Sequence, residues 1–282
     1  MILIAMLLLQ TPLPVTVEGD GLAAKLGDGL AKDPRVVLVE DFEAGDLKQW
    51  SENTGKPQFA DDAHGGKKSI KFTATLGENT GGHLWKMLKP GYDRLHFRYY
   101  VKFPKDHEYI HHFTHLCGYN PATAWPQGGA GELPAGDKRF STGLEPWGHW
   151  GREPMPGAWG FYTYWCEMKK SPDGKYWGNG FHPEKPVRVE RDRWICCEFM
   201  IACNTVGKAD GEQAFWIDGK CAGRWGGFRW RTDAALNVNG VWLLYYITDG
   251  AAKQNRVKEP KKENSIFFDD VVVATEYIGP HK

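Results

Sequence analysis

The chain has 282 residues, and its 35 Lys plus Arg are matched by 35 Asp plus Glu, so no net charge draws it to nucleic acid or to an anionic membrane. Its 13 Trp, 11 Tyr and 14 Phe sit among 34 Gly and 17 Pro, a composition suited to short strands and long loops rather than to helices. The six cysteines show neither CxxC pairs nor zinc-knuckle spacing, and no bridge is assigned.

The chain opens on an apolar run, residues 2–9, that is too short to span a bilayer. It reads as an atypical secretory leader over 1–20, followed by a linker, 21–34, and one domain, 35–281. Strand-like runs then recur at 36–42, 69–74, 83–88, 94–103, 110–117, 140–144, 160–168, 193–203, 214–217, 240–247 and 265–274. No amphipathic stretch is long enough for a helix of three turns. Short strands punctuated by Gly, Pro and Asp predict one all-β sandwich of two antiparallel sheets with long loops, expected to be a monomer and secreted or periplasmic.

At the first strand end and in the last strand, Glu40, Asp41, Asp269 and Asp270 offer hard oxygens, and Glu40 with Asp269 is the candidate site for a structural Ca²⁺. No other cofactor is required. In LHFRYYVKF, Leu95, Phe97, Tyr99, Val101 and Phe103 form a core side, while His96, Arg98, Tyr100 and Lys102 form a polar, partly basic one.

The next segment, EYIHHFTHLCGY, places His111, His112 and His115 within five residues. His111-x-x-x-His115 on a helix would suggest zinc, but the Tyr, Ile, Phe and Thr around it favour a strand. Positions four apart on a strand lie roughly 13 Å from each other, too far for one ion. Strict alternation sets His112 and His115 on opposite faces, so only one of them is expected to line a cleft.

Loops at 118–139, 145–159 and 169–186 carry Trp125, Trp147, Trp150, Trp159 and Trp177. Indoles beside Arg, His and Glu suit sugar rings, whose C–H faces pack on aromatic planes, although such residues also staple their own loops. Between the loops, Tyr162 and Tyr164 share one strand face about 6–7 Å apart, a spacing that fits one sugar subsite. In RWICCEFMIAC, the face carrying Trp194, Cys196, Glu198 and Met200 has the mixed character of a sugar-binding surface, or of a half-solvated outer sheet.

Two ends of the domain, VEDFEAGDLKQW with GGKKSIKF and SIFFDDVVVATEYIGP, resemble the opening and closing strands of concanavalin A-like jelly-roll proteins. The middle is similar to the polysaccharide lyases of that fold, the alginate and glucuronan lyases of families 14 and 20. LHFRYYVKFP, the segment His115-Leu116-Cys117-Gly118-Tyr119, the strand Phe140-Ser141-Thr142-Gly143-Leu144 and the Tyr162-Thr163-Tyr164 pair carry that likeness. The family's lysine position holds His115 here, and its arginine position holds Gly143.

The resemblance implies a concave-face lyase that cleaves an anionic, uronate-containing polysaccharide by β-elimination. That chemistry needs a donor on the carboxylate, a base for the C5 proton and an acid for O4. The catalytic candidates are His115, Tyr164, Tyr162 and His112. Arg98, Tyr100, Lys138, Arg139, Ser141, Trp147, Trp150 and Arg152 are candidates to hold substrate, arginine being suited to a bidentate grip. A non-catalytic glycan-binding module needs the same aromatics without the proton-transfer groups. A two-carboxylate hydrolase would draw on Glu145, Glu167 and Glu198, but the Glu-x-Asp-x-(x)-Glu strand of jelly-roll glucanases is absent.

Overall fold

The structure, a computed structural model, describes residues 10–15, 19–257 and 262–281; the apolar start at 1–9 lies outside the described residues. The strands are β1 (Thr11–Pro12), β2 (Val36–Glu40), β3 (Glu52–Thr54), β4 (Gln58–Ala60), β5 (Ser69–Thr75), β6 (Thr80–Tyr92), β7 (Arg94–Lys102) and β8 (Thr114–Tyr119). They continue as β9 (Arg139–Trp147), β10 (Ala158–Tyr164), β11 (Asn179–Phe181), β12 (Trp194–Ala202), β13 (Gly211–Ile217), β14 (Lys220–Phe228), β15 (Val238–Ile247) and β16 (Glu263–Ala274). Two short helices, α1 (Leu22–Leu26) and α2 (Asp249–Gln254), flank them.

The strands form two antiparallel sheets packed as a jelly-roll sandwich. The back sheet has nine strands in the order β1-β14-β13-β12-β7-β16-β5-β4, with β2 also on β16. The front sheet has seven, in the order β11-β10-β9-β8-β15-β6-β3. Among the described residues no helix is long and apolar enough to cross a membrane, and all six cysteines are free.

Period-two patterning drives the packing. Phe97, Tyr99 and Val101 of β7 and Phe199 and Ile201 of β12 meet Leu116, Leu144, Phe161, Val241 and Leu243 of the front sheet in one buried cluster. Each such side chain contributes about 1.5–3 kcal/mol by leaving water. One set of hydroxyls inside that layer is paired: Thr142 and Thr163 hydroxyls lie 2.7 Å apart, and both donate to Gln213 Oε1, at 2.8 Å and 3.2 Å. Such pairing removes the penalty of burying an unmet hydroxyl.

The structure corrects several expectations on the back sheet. Residues 22–32, expected to be linker, form α1 and a 3₁₀ turn whose Leu22, Ala23 and Leu30 pack on Val272, Ala274 and Ile278. The polar face of β7 turns away from the front sheet, and Arg98 and Tyr100 are removed from the substrate-binding set. Arg98 is fully buried with Nη1 3.5 Å from the Gly279 carbonyl, and the Tyr100 hydroxyl accepts from the His281 N–H at 3.0 Å. The mixed face of β12 is likewise covered, its Glu198 carboxylate accepting from the backbone N–H groups of Ile278 and Gly279 at 2.9 Å and 2.8 Å. Alternation shows which residues share a face, but it does not show which sheet the face belongs to.

Glu40 and Asp269, the candidate calcium ligands, each accept hydrogen bonds from the chain itself. Glu40 accepts from Phe42 N–H and Trp50 Nε1–H, both at 3.0 Å, and Asp269 accepts from His64 and Gly65 N–H at 2.7 Å and 3.2 Å. Among the described residues, no group of three or more His, Cys, Asp or Glu is arranged to hold a metal ion.

Candidate active site

The outward face of the front sheet is built in cross-strand rows. Tyr162, Gly143, His115, Trp242 and Trp85 stand opposite one another across β10, β9, β8, β15 and β6. The adjacent row holds Tyr164, Ser141, Cys117 and Gly240. Directly opposed residues lie about 4.5–5.5 Å apart, so these side chains adjoin in rows, whose Trp85 and Cys117 end is buried, Trp85 Nε1 donating to the Thr123 carbonyl at 3.1 Å.

Gly143 is the gap in the first row, and His115 fills it. A Cβ at position 143 would fall 2.5 Å from His115 Cε1 and 2.6 Å from Nε2. The His115 ring occupies the room where a side chain at 143 would start. His115 Nδ1 donates to the Phe113 carbonyl at 2.8 Å, which leaves the lone pair of the neutral ring on Nε2. The residue is only 6% exposed.

Glu145 follows two residues later on the same face and is equally buried. Its Oε1 accepts from Phe113 N–H at 3.2 Å, lies 3.0 Å from His112 Nδ1 and lies 3.8 Å from His115 Nε2. Burial pushes the Glu145 carboxyl up to about 7, with His115 and His111 pulling the other way. Burial also holds His112 down to about 4 and His115 below the usual imidazole range, in the latter case against the pull of Glu145.

Both His112 and His115 thus reach one carboxylate, contrary to strict alternation. The reason is that β8 begins only at Thr114. Before it, the N–H groups of His111 and His112 both donate to the Tyr246 carbonyl at 3.0 Å, and His112 forms an isolated bridge with Tyr246. The chain is out of strand phase there, so His112 swings to the cleft side. His111 stacks on it with ring centres 3.9 Å apart and sits 3.0 Å from the Thr248 hydroxyl through Nδ1.

Next to this unit lies the tyrosine pair, with hydroxyl oxygens 3.1 Å apart. The His112 ring centre is 5.1 Å from that of Tyr162. Burial, together with the neighbouring Tyr164 hydroxyl, raises Tyr162 well above the usual phenol range. Ser141 is half-buried opposite Tyr164. Arg139, two residues before Ser141, sets its guanidinium 5.9 Å from the Tyr164 ring centre and donates to the Gly129 and Glu132 carbonyls at 2.9 Å and 3.1 Å.

The other candidates separate by position. Lys138 is out of phase with Arg139 and exposed, its ammonium 3.9 Å from Asp137. Trp147 faces the cleft side, yet His149 and His182 stack against it at 4.3 Å and 4.4 Å, so the surrounding imidazoles compete with any sugar for its faces. Trp150 is 52% exposed beside it, and Arg152 is exposed in the same turn. Trp159 is a core residue of β10, not a loop indole.

Glu145 was visible in sequence only as an acid for a hydrolase. Its phase on β9, in step with Ser141 and Gly143, is the signal that places it on this face. The carboxylate pair for hydrolysis is not assembled: Glu167 is exposed and bound to Arg229 at 2.7 Å, and Glu198 belongs to the back sheet. Trp242 and Tyr246, which sequence reading did not single out, complete the surface around the two histidines through ring contacts at 5.5 Å and 6.4 Å.

No protein-family model and no curated protein sequence matches the chain. Solved structures do match in fold. An alginate lyase from Chlorella virus superposes with a TM-score of 0.63 at 14% identity, over 85% of this chain and 99% of that one. The PL-14 alginate lyase of Aplysia kurodai gives 0.59 at 15% identity, over 82% and 92%. The endo-β-1,4-glucuronan lyase of the fungus Trichoderma reesei gives 0.56 at 12%, over 85% and 95%. The chain therefore shares the jelly-roll sandwich of these polysaccharide lyases.

Proposed function

We propose that the chain is a polysaccharide lyase that cleaves a uronate-containing glycan by β-elimination on the front sheet. The observation that carries this reading is the Tyr162–Tyr164 hydroxyl pair, 3.1 Å apart, beside the His112 imidazole on the same side of the front sheet. The structures that share the fold include proteins named as alginate and glucuronan lyases, which supports a polyuronate over a neutral glycan.

In this reading Arg139 draws charge from the uronate carboxylate, making the C5 proton more acidic. An imidazole takes that proton. The electron pair becomes the C4–C5 double bond, and the C4–O4 bond breaks. The departing O4 takes a proton from the tyrosine pair; Tyr162 keeps its proton at neutral pH and so suits the donor side. Exchange with solvent returns the imidazole proton and restores the hydroxyl. Ser141, Trp150 and Arg152 line or flank the path of the chain. A polymeric substrate and the apolar run at 2–9 support action outside the cytoplasm.

The test is incubation with alginate, glucuronan, ulvan and pectin while following the ultraviolet absorbance of an unsaturated uronate. A lyase gives that absorbance with at least one polymer, and Tyr164→Phe abolishes it at unchanged thermal stability. New reducing ends without absorbance would replace elimination by hydrolysis, and binding without either product would make the chain a glycan-binding module.

A further inference from the structure

We infer that Glu145 is the positioning residue of this site, and that the histidine it orients toward the substrate is His112, with His115 behind it. The inference rests on the lyase reading for its chemistry, and on the geometry of three groups around one oxygen for its substance.

Glu145 Oε1 receives the Phe113 N–H and the His112 Nδ1 within hydrogen-bond distance. An ionised carboxylate only accepts, so the proton of neutral His112 sits on Nδ1 and the lone pair is on Nε2. The two histidines differ in access: the His112 side chain is 25% exposed and the His115 side chain 7%. His115 is further pinned by the Phe113 carbonyl and wedged over Gly143. His112 is thus the imidazole that a sugar in the cleft can meet, standing next to Tyr162. When Nε2 takes the C5 proton, the imidazolium forms against the Glu145 carboxylate, which stabilises the new charge without moving.

The groups that bear on this carboxylate come from several elements. His111 and His112 approach from the segment before β8, His115 from β8 itself, and Tyr162 from β10. Tyr246 of β15 lies parallel to the His112 ring, with centres 6.4 Å apart and a 7° interplanar angle. Among these, Glu145 is the one acid, and once ionised, above about pH 7, it places its charge 3.0 Å from His112 Nδ1. Removing that charge lowers the affinity of His112 for a proton.

The experiment compares wild type with Glu145→Gln and Glu145→Asp in two readouts. With the polymer that is cleaved, Glu145→Gln is expected to lower kcat about ten-fold or more at little changed KM. It should also move the acidic limb of kcat/KM to lower pH, a shift that a purely structural role would not produce, while Glu145→Asp recovers part of the rate. Wild-type kcat with an unmoved limb overturns the proposal. The second readout is nitrogen NMR of the histidine rings in the wild-type chain, with His112 identified by its loss in His112→Gln. His112 should carry its proton on Nδ1; a proton on Nε2 overturns the proposal without any acidic variant having to fold. The NMR result stands whether or not a polymer is cleaved. Failure of the lyase reading alone would leave the Nδ1 proton in place with no unsaturated product.

Discussion

A methyl group at position 143 would overlap the His115 ring, since a Cβ there falls 2.5 Å from Cε1. Gly143→Ala is accordingly expected to swing the imidazole off the Phe113 carbonyl. A drop in kcat of about 10²-fold, with the unfolding temperature held within a few degrees, would show that the ring's place matters to turnover; unchanged steady-state kinetics would show that it does not. Arg139 allows a different split. Its fork is tied to the Gly129 and Glu132 carbonyls, so Arg139→Ala should raise KM for a polyuronate more than it lowers kcat, and added salt should weaken binding to wild type more than to the variant. At this scale the tyrosine pair was readable, because two residues on one strand share a face by simple periodicity. The convergence of His112 and His115 was not, because it depends on where β8 begins, and that is decided by the hydrogen bonds to Tyr246 from a distant strand.

The runs rich in β-branched and aromatic residues each overlap a strand, although 110–113 and 165–168 fall outside β8 and β10, while the short β1, β3, β4 and β11 and the glycine-rich β14, KCAGRWGGF, were invisible in sequence. β14 hides because its glycines make room for neighbours: a Cβ at Gly223 would lie 2.4 Å from the Trp225 ring. The packed arm was unreadable for a related reason. Leu22 and Leu30 look like residues of a leader or linker until Val272 and Ile278 are placed beneath them. If the arm is part of the fold, Leu30→Ala should cost about 2 kcal/mol or more and lower the thermal midpoint by several degrees. A midpoint equal to wild type would return the segment to linker. The choice of sheet for Arg98 and Tyr100 belongs here as well, since strand order in a jelly roll is set by crossovers that no local pattern records.

Over the whole molecule, burial keeps several imidazoles uncharged. His107 is held down to about 3, and His111, His112 and His182 to about 4. In the unfolded chain these rings take protons near 6.5. Between those values the unfolded state binds more protons, so stability is lost as the pH falls from about 6.5 towards 4. Glu145 acts with the opposite sign: its raised carboxyl costs stability as the pH climbs from the usual carboxylate range through about 7. Asp269, raised by burial to about 6, acts as Glu145 does, while His83, His115 and His281 are also held below the usual range. Seven rings against two acids set the expected outcome, a thermal midpoint clearly lower at pH 5 than at pH 7. Equal midpoints would mean that the rings are charged inside the fold.

The interlocking of position 115 with position 143 also bears on how such a site can change over generations. A larger residue at 143 meets the imidazole first, and a smaller one at 115 leaves the glycine uncovered. Either change alone brings strain or a void, so the effects of the two will not add in a double-mutant cycle. Histidine at 115 and glycine at 143 thus form one unit of packing, and a change at either is read through the other.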